Sequence, residues 1–519
     1  MFSSINTGAV IGLECHIVRV EVDTSPGLPC FQMVGLLSGE VREAKERVKV
    51  ALKNTGFAMP PLCINVNLSP ANIRKDGTAY DLPIAIGILS ALQIIDTDAT
   101  KDTLIIGELG LDGEVYGVRG ILPIVKHARD IGLSKVILPS SNINEGMLIP
   151  GIEIIGVSTL MDVCNYLSSG GIDDSSVKPS ASTGITSIED YLQSSLENLP
   201  DFSDVQGQVA IKRASMVAAA GFHHMLMIGP PGAGKTMIAK RIPSILPPLT
   251  PEEALEVTSI YSVAGMLHSD QALISSRPFL SPHHTITDHA LSGGGRVPKP
   301  GIISLAHRGV LFLDEMTEFN RTTLDIMRQP LEDKVVYISR NYGTFKYPAD
   351  FMLIAACNPC PCGYYPNLNK CHCTEPQVKR YLGHISGPLL DRIDICCDVE
   401  SVDLCKPSGA STPSMSSATM RERISVARAR QEYRFKDSTL RFNSEMAGRE
   451  INKFCKLSPS ANQMLQSAYE ALSLSARSYH RILKVSRTIA DLEDSEIIDE
   501  PHISEAIFYR TSGLRFWGR

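Results

Sequence analysis

Hydrophobic and polar positions fall into three regimes along the chain. Over the first 170 residues short apolar runs alternate with stretches of helical period. IVRVEV (17–22), CINVNL (63–68), TLIIGELG (103–110) and KVILP (135–139) read as strands. SGEVREAKERVKVALKNTG (38–56) and LPIVKHARDIG (122–132) repeat their apolar residues every three or four positions and read as helices. The mixture predicts an α+β or α/β domain. The same alternation continues to about residue 402. Beyond residue 421 the 3.6-residue period takes over, in RERISVARARQEYRF (421–435), SPSANQMLQSAYEALS (458–473) and SYHRILKVSRTIADLE (478–493). Ile482, Val485, Ile489 and Leu492 form one apolar stripe, which predicts a helix docked on a core.

Two stretches lack any apolar period: SSGGIDDSSVKPSASTGITS (168–187) and KPSGASTPSMSSATM (406–420). They would bury little, so residues 171–187 read as a linker and 403–420 as a flexible segment. The chain is thereby divided into 1–170, 188–402 and 421–519. Its 519 residues, 43% hydrophobic and 20% charged, match an ordinary globular protein of several domains. A net charge of −6 excludes a global basic field, so any binding of nucleic acid must come from local patches. Residues 421–519 lean the other way, with 17 Lys and Arg against 13 Asp and Glu.

The most apolar window, LPIAIGILSALQII (82–95), is too short to span a bilayer and contains Pro83, Ser90 and Gln93; it reads as a buried helix. The first residues lack the basic start and apolar run of a secretory signal. With 13 cysteines, an odd number, this predicts a cytoplasmic protein, away from membranes, whose thiols stay reduced.

One stretch carries explicit chemistry. GPPGAGKT places Gly229, Pro230, Pro231, Gly232, Ala233, Gly234, Lys235 and Thr236 between an apolar strand, MLMI, and a helical run. Glycines let backbone N–H groups turn inward around phosphates, and the following helix adds its positive dipole end. Lys235 would reach the β- and γ-phosphates of ATP and Thr236 the Mg²⁺. The apolar strand GVLFLDE (309–315) ends in two acids. Asp314 would hold Mg²⁺ through water, and Glu315 would act as general base on the attacking water.

With both motifs in place the chain resembles the AAA+ ATPases, and within them the magnesium-chelatase-like ComM/YifB family. The resemblance covers nearly all of the chain. Its most particular blocks are FLSPHHTITDHALSGGGRVPKPGIISLAHRGVLFLDEMTEF (279–319), RQPLEDKVVYISR (328–340) and CNPCPCGYY (357–365). The resemblance implies an α/β P-loop core with a helical C-terminal lid. It implies that Asn358 is a sensor orienting the attacking water. Arg392, in LLDRIDI, would be an arginine finger acting on a neighbouring subunit, and Arg477 a second sensor on the lid. A finger acting in trans implies a homo-hexameric ring. The resemblance further implies ATP-driven movement on DNA and branch migration of recombination intermediates, with a recombination protein as a further partner. A chelatase-type motor that remodels a protein partner is the rival reading, and an ATP-dependent protease a second.

KVVYISRNYGTFKYPADF (334–351) reads as a β-hairpin about a polar turn, with Arg340 and Lys346 near its tip as candidate DNA contacts. His283, His284 and His289 have no acidic or thiol partner at a recognised spacing and read as loop residues. The first domain resembles the Lon protease domain in layout. In KDGTAYD (75–81) Ala79 stands where that family has its serine; in GEVYGVRGILPI (113–124) Leu122 stands where it has its lysine. Alanine is no nucleophile and leucine takes no proton, so proteolysis is not expected.

Five cysteines fall within residues 357–373. Cys357 precedes Asn358 on a strand and reads as a buried thiol. Cys360, Cys362, Cys371 and Cys373 form two C-x-C pairs, whose four thiolates suit a structural Zn²⁺. His372 is an alternative ligand, and an iron–sulfur cluster also takes four thiolates.

Overall fold

A computed structural model describes residues 1–169, 178–179, 192, 199–267, 273–340, 343–400 and 415–517. The first domain is built on β1 (Phe2–Ile11), β2 (Glu14–Pro26), β3 (Cys30–Val34), β4 (Leu62–Ser69), β5 (Thr103–Ile105), β6 (Lys135–Pro139), β7 (Glu153–Val157) and β8 (Lys178–Pro179). They form one mixed sheet in the order β8-β7-β6-β5-β1-β2-β4-β3. Helix α1 (Gly39–Asn54) starts where the Ser38 side chain accepts the Val41 N–H, and it buries Val41, Ala44, Val48, Ala51 and Leu52. Helix α2 (Asp81–Ala91) is the apolar window; every residue of it is buried, and it lies across β1 and β2. Among the described residues no helix is long and apolar enough to cross a membrane.

Cys30 and Cys63 are direct partners on the parallel neighbours β3 and β4 and are joined by a disulfide, with Cα atoms 4.5 Å apart. This corrects the expectation that all thiols are free. Strand register brings the two together, and a cysteine count does not reveal register.

The second domain is a parallel sheet with flanking helices, consistent with an AAA+ core. Its strands are β9 (Met225–Ile228), β10 (Phe279–Leu280), β11 (Val310–Leu313), β12 (Met352–Cys357) and β13 (Ile395–Asp398), in the order β10-β11-β12-β9-β13. Parallel strands buried on both faces need continuous apolar runs, and VLFL and MLIAAC are fully buried. The chain leaves β9, β11 and β12 at one edge of the sheet, the carboxyl edge where ligands of such sheets sit.

The helical region begins with α3 (Ser417–Phe435) and ends with α4 (Ala476–Leu492) and α5 (Glu500–Leu514). Helix α3 starts inside the stretch expected to be flexible, 403–420. The reason is local: Ser416 caps it by accepting the Thr419 N–H, while the Phe202 N–H donates to Ser417 Oγ at 2.8 Å. The remainder of that stretch, 403–414, lies outside the described residues. So does the expected linker 171–187, except for Lys178 and Pro179, which pair with β7 as an edge strand. The helical region shares one hydrophobic cluster with the second domain's sheet, which holds Ile482, Val485 and Ile489 together with Met227, Ile354 and Ile395.

First and second domains are keyed together by a carboxylate. Glu145 is buried; it accepts the Leu122 N–H at 2.8 Å and the Ser262 hydroxyl at 2.5 Å. Burial pushes its pKa up, against these hydrogen bonds.

Candidate nucleotide-binding site

The phosphate loop follows β9. At Gly229 a Cβ would lie 2.2 Å from the Val399 carbonyl oxygen, so only glycine fits there. Gly232 and Gly234 have φ of +76° and +86°, the left-handed region that favours glycine. The Lys235 ammonium is buried and donates to Gly229 O at 2.6 Å, Pro230 O at 2.9 Å and Asn358 Oδ1 at 3.0 Å. Burial lowers its pKa. The Thr236 hydroxyl donates to Asp314 Oδ2 at 2.7 Å, and the Glu315 N–H donates to Asp314 Oδ1 at 3.0 Å. Glu315 itself is exposed and holds a φ of +49°, an unusual backbone for a residue with a long side chain. Lys235, Thr236, Asp314, Glu315 and Asn358 thus meet at one sheet edge, with Pro231 and Ala233 in the loop's turn.

Arg392 and Arg477 lie elsewhere. One Arg392 amino group donates to Pro388 O at 2.7 Å and the other sits 2.6 Å from a Glu332 carboxylate oxygen. Its Nε is buried without a partner. Arg477 is exposed and 4.0 Å from the other Glu332 oxygen. With His480, Arg481 and Lys484 the two line a cleft that no residue of the phosphate loop lines.

The expected hairpin pairs Val335–Arg340 with Gly343–Pro348, and residues 341–342 lie outside the described residues. Arg340, opposite Gly343, is at the tip and donates to Gly295 O at 3.2 Å. Lys346 is not near the tip: the register puts it opposite Tyr337, halfway down the exposed face. His283 bonds Thr285 at 2.9 Å and its ring is tilted against that of His284, with centroids 4.1 Å apart, as a local turn. His289, by contrast, lies in the short helix Asp288–Ser292 and not in a loop, because Thr287 caps that helix by accepting the Ala290 N–H.

Three sequence profiles match the chain. One described as magnesium chelatase, subunit ChlI, covers residues 201–406; one described as subunit ChlI of Mg-chelatase covers 20–142; one for the ChlI C-terminal region covers 414–510. The uncharacterized protein YifB of Escherichia coli is 41% identical over 508 residues, 98% of this chain and 97% of that one. The competence protein ComM of Haemophilus influenzae is 40% identical over 503 residues, 97% and 96% of the two chains. The chain belongs to the magnesium-chelatase-like ComM/YifB family. Lon protease 2 of Bacillus subtilis is 30% identical over 173 residues, covering 31% of each chain.

In this ComM/YifB protein the two positions expected to match a Lon dyad have apolar surroundings. Ala79 and Leu122 belong to one hydrophobic cluster with Cys15 and Val10. The neighbouring Thr78 hydroxyl donates to the Glu108 carboxylate, and buried Lys75 donates to the Pro70 carbonyl. Cys357 is buried in β12, its thiol pushed up to about 12, which makes it inert. The sulfurs of Cys360, Cys362, Cys371 and Cys373 all lie within 4.8 Å of one another, a set compatible with zinc; exposed His372 is not part of it.

The sequence reading missed a polar network behind the sheet. His223 Nδ1 is 3.2 Å from Asp394, His223 Nε2 is 2.9 Å from the Thr488 hydroxyl, and Arg481 donates to Asp394 at 2.9 Å. The adjacent His224 accepts the Leu353 N–H at Nδ1, 3.1 Å away. The HH pair before MLMI was the only signal. Burial of the His224 ring pulls its pKa down to about 4, against an ordinary histidine value near 6.5. The unfolded chain therefore binds the extra proton in that interval. The contribution of neutral His224 to stability is complete above pH 6.5 and is lost as pH falls from there through 4. Its ceiling is about 3 kcal/mol. Denaturant melts between pH 7 and 4 should show this loss in the parent and a flatter profile in His224→Asn, whose Oδ1 can accept the same N–H.

Proposed function

We propose that this chain is an ATP-driven hexameric motor that acts on DNA in the cytoplasm, migrating branches of recombination intermediates. The observation that carries the ATPase part is the meeting of Lys235, Thr236, Asp314, Glu315 and Asn358 at one sheet edge. Lys235 binds phosphate, Asn358 orients water, and exposed Glu315 accepts its proton. The donor set fits Mg²⁺, a hard cation that takes oxygen ligands: the Thr236 hydroxyl and, through water, the Asp314 carboxylate. When bound, Mg²⁺ neutralises phosphate charge.

Ring formation is supported by Arg392 and Arg477 lining a cleft apart from their own phosphate loop. Arg392 serves as the finger for a neighbouring subunit, and Arg477 works from the lid beside it. Action on DNA is supported by the relative named competence protein ComM and by the hairpin, which offers Arg340 at its tip and Lys346 on its exposed face. A recombination protein is the partner that would load such a motor.

The test is ATP-dependent strand exchange on a labelled three- or four-stranded junction, comparing parent with Glu315→Gln. Exchange by the parent alone is expected. Intact ATP turnover with neither exchange nor stimulation by DNA overturns the DNA reading. It would favour the second reading, a motor that remodels a partner protein, which is motivated by the chelatase descriptions of all three matching profiles.

A further inference from the structure

The cysteine-rich loop sits between two things that sequence distance keeps apart: the phosphate loop and the last residues of the chain. A Cβ on Gly363, inside the loop, would lie 2.4 Å from Pro231 Cδ, so the loop backs directly onto the phosphate loop. On its other side Cys360 and Cys371 form an apolar cluster with Val378 and Leu382, packed by Tyr365, Phe516 and Trp517. The Trp517 indole donates to Leu382 O at 3.0 Å, and the Phe516 ring meets Tyr365 edge-on with centroids 6.4 Å apart.

The sulfur geometry is that of ligands around one ion. Cys360 Sγ lies 3.3 Å from Cys362 Sγ and 3.8 Å from Cys371 Sγ, and Cys362 and Cys371 are 3.5 Å apart. A tetrahedral Zn²⁺ with bonds of about 2.3 Å has sulfur–sulfur edges of about 3.8 Å. Sulfurs bonded to different irons of a sulfide-bridged cluster stand further apart than a set confined within 4.8 Å, so a multi-iron centre does not fit. None of the four is disulfide-bonded. The Tyr365 N–H points at Cys360 Sγ from 3.4 Å, the kind of backbone hydrogen bond that supports a thiolate ligand.

We propose that Cys360, Cys362, Cys371 and Cys373 hold one Zn²⁺ that braces the phosphate loop against the carboxyl-terminal tail. The ion does no chemistry. It holds the segment 358–373, which has no helix or strand of its own, in the shape that presses on Pro231. Its loss lets that loop relax and leaves the phosphate loop without its outer wall. The effect on nucleotide rests on the ATP-site reading above, whereas the metal site does not.

The test uses the full chain, whose sole tryptophan, Trp517, stands on the proposed site. Elemental analysis of protein purified without chelator should find about one zinc per chain. Stripping it with a mercurial and a chelator should shift the Trp517 emission and weaken binding of a fluorescent ATP analogue about tenfold, and added Zn²⁺ should reverse both. Cys362→Ser with Cys371→Ser should lose the metal; His372→Ala should keep it. A parent with under about 0.2 zinc per chain after incubation with Zn²⁺, or thiol titration that finds disulfides among the four, overturns the site. Zinc removal that leaves Trp517 emission and nucleotide affinity unchanged overturns the brace. A parent that carries zinc but binds no ATP analogue overturns the nucleotide reading and, with it, the brace on nucleotide.

Discussion

Glu315→Gln is expected to stop ATP turnover while ATP stays bound. The amide has the size of the acid and cannot take a proton from water, so the change removes the base and little else. The Thr236–Asp314 hydrogen bond at 2.7 Å and the Lys235 contacts do not involve the Glu315 side chain, so nucleotide binding should persist. Loss of a positioned general base is worth about 10²–10⁴ in rate. Phosphate release and retention of labelled ATP on a filter measure the two halves separately. Turnover within a factor of about three of the parent would remove Glu315 from the role of base. Because Glu315 is exposed at a positive φ, the amide costs no buried hydrogen bond, and a loss of fold is not expected.

Arg392→Ala is expected to lower ATP turnover by about 10³, the range of an arginine finger supplied from a neighbour. Arg392 is buried and its partner Glu332 half exposed, so the change also costs some stability, and a denaturant melt of the variant separates that loss from the loss of turnover. The decisive arm is a mixture. Arg392→Ala and Glu315→Gln chains, each inactive alone, should regain turnover when combined. Where an Arg392→Ala chain follows a Glu315→Gln chain in the correct order, its intact Glu315 faces an intact Arg392. No recovery, with both variants assembled into mixed rings, would place Arg392 in its own subunit's site or outside the chemistry.

Much of the site was legible because its parts are short and local. Gly229 to Thr236 read as a phosphate loop from eight consecutive residues, and the acids of 314–315 from the apolar strand before them. The structure gathers those with Asn358. Lys346 was misplaced because the hairpin's length was legible and its register was not: the pairing of Arg340 with Gly343 leaves Lys346 opposite Tyr337. The start of α3 at Ser417 was hidden by a polar run whose serines cap a helix and dock on Asp201 and Phe202, more than 200 residues earlier. The Cys30–Cys63 disulfide and the His223–Asp394–Thr488 network share that cause: each joins residues that only the folded sheet brings together. The four clustered cysteines were visible in the sequence. That Pro231 stands on one side of them and Trp517 on the other was not.

That last contact has a consequence for how the protein is made. Phe516 and Trp517 follow every strand of the second domain's sheet in the chain, and so do the helices α4 and α5 that complete its hydrophobic cluster. A nascent chain therefore carries a finished first domain and an unfinished second one until α5 has emerged. The apolar faces of β9, β12 and β13 wait for α4 and α5 throughout that interval, the condition in which large chains aggregate unless a chaperone covers them. A chain released before Phe516 would leave the candidate nucleotide site without its outermost support.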